Sequence, residues 1–146
     1  MAGFRGVVPI VRRGGIEVLV VERSSHLRER IAALASEAPG IAGVTAVGSH
    51  DDALVAALLE RRDAIVLDID PEDGTGLRGL ELLRAMCPAA KLLVICDDVE
   101  PELLASCAAL GADGVYQKPQ ELDGLAADLA ALARGAPATR ATTTIS

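Results

Sequence analysis

Tryptophan is absent from this chain and Phe4 and Tyr116 are its only aromatic residues, so any core must be built from leucine, isoleucine, valine and alanine. Positive charge is also scarce. Fourteen basic residues against 21 acidic ones leave a formal net charge of −7, and the basic residues are scattered. That balance argues against a nucleic-acid surface acting on its own. Cys87, Cys96 and Cys107 are odd in number and contain no CxxC pair, which favours neither a disulfide framework nor a zinc site and implies reduced thiols. No apolar run approaches the roughly 20 residues of a membrane span. Val7-Val8-Pro9-Ile10-Val11 is too short and too Pro-broken for a signal-peptide core. The protein is expected to be soluble and cytoplasmic, with no membrane partner.

The 146 residues suit one domain, and their 51% apolar content can supply one sizeable core. Within it Ala64-Ile65-Val66-Leu67-Asp68 is the most informative stretch: an apolar run with no solvated face, ending in a carboxylate. Such runs read as strands buried on both faces of a parallel sheet, where ligands collect at the carboxyl ends of strands. Val18-Leu19-Val20-Val21-Glu22 before it and Val115-Tyr116-Gln117-Lys118-Pro119 after it end similarly. Two acids and a lysine at the ends of three strands form a phosphate-and-cation constellation.

Strand-like and helix-like segments alternate along the chain. Strands are expected at 16–21, 44–48, 64–67, 91–95 and 113–117. Helices are expected from Ser24 or Ser25 to about Ala38, from Asp51 or Asp52 to about Arg62 with Leu54, Leu58 and Leu59 facing in, and over 79–87, 101–110 and 121–134. A Gly-rich loop covers 69–78, and Leu122, Leu125, Leu129 and Leu132 form one stripe of the last helix. Five β-α units predict an open, doubly wound parallel sheet in a single domain over 16–134. A flexible extension, 1–15, precedes it, and a small polar tail or truncated linker, 135–146, follows.

In the order VLVVER, IVLDID, GLELLR, LLVIC and GADGVYQKP, the chain resembles a response-regulator receiver domain, similar to the stand-alone chemotaxis receiver. The resemblance implies a flavodoxin-like (β/α)5 fold and phosphorylation of Asp68 by a histidine kinase or phosphotransfer protein, with no enzymatic turnover of a substrate. It implies Mg²⁺ held by Glu22, Asp68 and a loop group, Lys118 as the cation that pairs with the phosphoryl group, and a cis bond before Pro119. It places Cys96 at the position of the switch hydroxyl. It also implies self-association through the fourth helix, fifth strand and fifth helix, where the alanines of the last helix leave small side chains outside the leucine stripe.

The chain departs from the family pattern at several places. Arg23 replaces the second acid of the metal pair, and a guanidinium cannot coordinate Mg²⁺ and repels it. Cys96 is a weaker hydrogen-bond donor than serine or threonine. Val115 takes the place of the family's aromatic, so Tyr116 is expected on the opposite face of the sheet. Asp70, Glu72 or Asp73, in a loop that runs long, could replace the lost metal acid. Two other readings follow. One is a pseudo-receiver that signals without phosphorylation, with Arg23 as a permanent counter-ion to Asp68. The other rests on Asp68-Ile69-Asp70, which resembles the DxD of haloacid-dehalogenase-like phosphotransferases.

Overall fold

The computed structural model describes residues 15–135 apart from 71 and 73. Ten elements alternate: β1 (Ile16–Val21), α1 (Ser25–Glu37), β2 (Ile41–Val47), α2 (His50–Leu59), β3 (Ala64–Asp68), α3 (Gly76–Met86), β4 (Lys91–Cys96), α4 (Pro101–Ala109), β5 (Gly114–Gln117) and α5 (Leu122–Ala133). The five strands form one parallel sheet in the order β2-β1-β3-β4-β5. This is the flavodoxin-like doubly wound fold expected from the sequence. The extension before Gly15, the tail beyond Gly135, Phe4 and Asp73 lie outside the described residues.

The apolar strands are buried because helices cover both faces of the sheet. On one face Leu19, Val21, Ile65, Leu67, Leu92, Val94 and Val115 pack beneath α2, α3 and α4. On the other, Val18, Val20, Val66, Leu93, Ile95 and Tyr116 meet Ile31 and Ala35 of α1 and the leucine stripe of α5. Tyr116 thus lies on the face opposite Val115, as the period-two alternation predicts. Ser24 and Ser49 cap α1 and α2, their hydroxyls accepting from the amides of Leu27 and Asp52. After α4 the chain turns through Gly111 at φ +95°, a left-handed conformation that glycine adopts without a Cβ penalty.

Three expectations are corrected. β2 starts at Ile41 rather than residue 44, because the Ile16 amide donates to Gly40 and Ile16 pairs with Ile41. α3 starts at Gly76 rather than Gly79. Gly76 reads as loop on propensity, yet it sits on the buried side of the helix, where packing overrides propensity. In α2 one of the three leucines expected to face inward does so: Leu54 packs against the core, but Leu58 and Leu59 are each 76% exposed. Ala53 and Ala56 face inward instead. The helix is apolar all round, so leucine spacing does not identify its inner side.

Candidate functional site

Parallel register assembles the site. Val21 pairs with Leu67, which sets Glu22 beside Asp68 at the carboxyl ends of β1 and β3. Asp68 pairs with Ile95 of β4, and the Lys118 amide donates to the Cys96 carbonyl, bringing the residue after β5 alongside. The Lys118-Pro119 bond is cis. Glu22 and Asp68 are at most 3% exposed, and Lys118 reaches both: its Nζ is 2.8 Å from Glu22 Oε1 and 2.7 Å from Asp68 Oδ1.

Arg23 fills the other side. Its Nε lies 3.2 Å from Asp68 Oδ2, its amide is 3.5 Å from the same oxygen, and one terminal nitrogen is 3.5 Å from Asp70 Oδ2. The Ser24 amide donates to Glu22 Oε2, and the Glu72 amide donates to Asp70 Oδ1. Every carboxylate oxygen of Glu22, Asp68 and Asp70 therefore already accepts an N–H. Magnesium needs carboxylate oxygens open to it and facing one another. These residues do not fit it as they stand, because a guanidinium occupies the gap between Asp68 and Asp70.

The electrostatics follow from burial and pairing. Burial pushes Asp68 up, but the hydrogen bond and charge of Lys118, with Arg23, outweigh it and hold the carboxyl below its ordinary value. At Glu22 burial dominates and raises the carboxyl, with Lys118 and the Ser24 amide opposing. Lys118 would be lowered by burial, yet Asp68 and Glu22 raise it and keep it charged. Arg23 is likewise raised against its desolvation by Asp68 and Asp70.

Cys96 adjoins the charged cluster through its carbonyl, which accepts from the Lys118 amide. Its Sγ is buried in the core beneath α2, α3 and α4, 3.9 Å from the Tyr116 carbonyl, and burial pushes the thiol up to about 12, well away from an activated thiolate. On the opposite face Tyr116 donates to Asp128 Oδ2 at 2.5 Å, joining β5 to α5.

Sequence reasoning passed over His50. A carbonyl only accepts, so His50 Nε2–H donates to the Asp68 carbonyl at 3.0 Å. Its Nδ1 is buried against Gly79 with no hydrogen-bond partner among the described residues. Nothing in the spacing of His50 points to Asp68; only the packing of α2 against β3 and α3 brings them together. A cleft of about 350 Å³ opens beside this contact, lined by Arg23, His50, Asp68, Asp70, Thr75 and Arg78.

No curated protein sequence matches the chain significantly. Among solved structures, a LuxR-family two-component response regulator from Aurantimonas sp. superposes with a TM-score of 0.74 at 21% identity, covering 86% of this chain and 90% of that one. A response regulator from Thermotoga maritima does so at 0.69 and 22% identity, covering 77% and 92%. A Francisella response-regulator receiver domain gives 0.70 at 22%, covering 82% and 98%. At these identities the likeness is one of fold. The family model for the response regulator receiver domain matches residues 18–130, most of the chain, and that span contains β3 with Asp68 and the residues that surround it. The chain belongs to the response regulator receiver domain family.

Proposed function

We propose that this receiver acts without phosphotransfer, as a protein-interaction module whose acidic pocket is closed by its own arginine. One observation carries the reading: both oxygens of Asp68 are already bonded to cations, Lys118 at 2.7 Å and Arg23 at 3.2 Å, and the side chain is only 2% exposed. A carboxylate nucleophile needs a free oxygen aligned with the incoming phosphoryl group, and charge building on that group needs a metal beside it. Here the arginine stands where the metal would stand.

Receiver domains interact with histidine kinases or phosphotransfer proteins, and this chain keeps the fold on which such contacts are made. Its output passes through protein contact, with no chemistry of its own. Asp70 supports this as well: tied to Arg23 and to the Glu72 amide, it is poorly placed as the general acid of a DxD phosphotransferase.

The test is to incubate the full chain with a small phosphoryl donor and Mg²⁺ and weigh it intact. The wild type is expected to stay unmodified, whereas Arg23→Asp, which restores a second acid beside Glu22, should bind Mg²⁺ and gain one phosphoryl group. Phosphorylation of wild-type Asp68 would overturn the reading. A variant that gains neither property would show that Arg23 is not what closes the pocket.

A further inference from the structure

Arg28, in the first turn of α1, spends its guanidinium on backbone. The positions one turn away on its own helix hold Ser24, Ser25, Ile31 and Ala32, so no acid stands there to pair with it. Instead one terminal nitrogen donates to the Glu22 carbonyl at 2.9 Å and reaches the Arg23 carbonyl at 3.5 Å. Both carbonyls belong to the turn that joins β1 to α1. The turn from β2 to α2 leaves room for the contact: a Cβ added to Gly48 would lie 2.7 Å from the same nitrogen.

Peptide geometry turns this contact into control of the acidic pocket. The C=O and N–H of a trans peptide point in opposite directions on one rigid plane, and the cis bond found among the described residues is the one before Pro119. The Glu22 carbonyl shares its plane with the Arg23 amide, and the Arg23 carbonyl shares the next plane with the Ser24 amide. Drawing both carbonyls toward Arg28 therefore aims both amides the other way. There the Arg23 amide faces Asp68 Oδ2 at 3.5 Å and the Ser24 amide donates to Glu22 Oε2 at 3.0 Å. The Arg23 side chain leaves the backbone between these two planes, and its Nε meets the same Asp68 oxygen at 3.2 Å.

We propose that Arg28 is the positioning residue of the closed pocket. By holding two successive peptide planes it aims the Arg23 amide, the Arg23 guanidinium and the Ser24 amide at the buried carboxylates, and Gly48 supplies the space in which its own guanidinium sits. The proposal rests on the reading that Arg23 closes the pocket, but its test follows the hydrogen bonds themselves and needs neither a phosphoryl donor nor a metal.

In the full chain labelled with nitrogen-15, NMR would follow the amides of residues 23 and 24 and the Arg23 Nε–H. Arg28→Met is expected to speed hydrogen exchange of both amides by about tenfold or more, the factor that corresponds to one lost bond to a charged acceptor. Their resonances and that of the Arg23 Nε–H should move together. Arg28→Lys, whose ammonium can still donate to the Glu22 carbonyl, should keep the Arg23 amide protected. Gly48→Ala keeps Arg28 but pushes its guanidinium aside, so it should reproduce the effect of Arg28→Met even if that variant fails to fold. Arg30→Met, which removes an exposed arginine of the same helix, should change neither amide. Amides unmoved by Gly48→Ala, amides moved equally by Arg30→Met, or a lysine no better than methionine would each overturn the proposal. If Arg23→Asp fails to open the pocket while Gly48→Ala still frees these amides, the closed-pocket reading falls and the role of Arg28 stands.

Discussion

Lys118 stands between Glu22 and Asp68 at 2.8 and 2.7 Å, so deleting the lysine and deleting the aspartate are different perturbations. Without Asp68 the remaining charges still pair, Lys118 with Glu22 and Arg23 with Asp70. Without Lys118, two buried carboxylates and Asp70 share the half-exposed Arg23. An uncompensated buried charge costs about 3–5 kcal/mol, whereas loss of one member of a crowded acidic cluster is close to neutral. Lys118→Met is therefore expected to destabilise the fold by about 3 kcal/mol, and Asp68→Ala by less than about 1 kcal/mol. Urea unfolding of the two variants would check this. Equal losses would mean that Asp68 is a structural residue first. Glu22, Asp68 and Lys118 are legible in the sequence because each ends or follows an apolar run, and Arg23 is legible as a misplaced cation. The pairing of Arg23 with Asp68 is the counter-ion contact the sequence suggests, but that Arg23 also reaches Asp70 is not legible, since it depends on how the loop after β3 folds back.

At the scale of elements, α2 and α3 meet through a contact that pattern reading cannot supply. A Cβ added to Gly79 would lie 2.3 Å from His50 Nδ1, so the imidazole occupies the space that the glycine leaves. Gly79→Ala gains about 1 kcal/mol of helix propensity. Because the ring must swing away, it also loses the bond to the Asp68 carbonyl, worth about 1 kcal/mol. The two nearly cancel, so the melting temperature should change little while the His50 ring resonances in an NMR spectrum shift. Unmoved resonances would mean that the helix yields rather than the ring. A second glycine contact accompanies the start of α3 three residues before the sequence suggests. Propensity reads Gly76 as loop, and only its close approach to Ile69 favours the helix there. β1, β3 and β4, whose apolar runs can only be buried, were by contrast legible to within a residue or so.

Across the whole molecule, the leucine- and valine-built core leaves Tyr116 as the single tyrosine in a chain without tryptophan. That ring is fully buried and its hydroxyl donates to Asp128, with burial and the adjacent carboxylate holding the phenol well above its ordinary range. A phenol bonded to a carboxylate loses its excited-state proton readily, which quenches its emission. The protein therefore carries one built-in optical probe, located where β5 meets α5. Tyrosine fluorescence should be weak in the folded protein and rise as the chain unfolds. Asp128→Asn should brighten the native state without waiting for unfolding. Native emission already as strong as that of the unfolded chain would show that the hydroxyl does not hold this bond in solution. Any event that loosens α5 from the sheet, including the arrival of a partner, should be visible as light from this one residue.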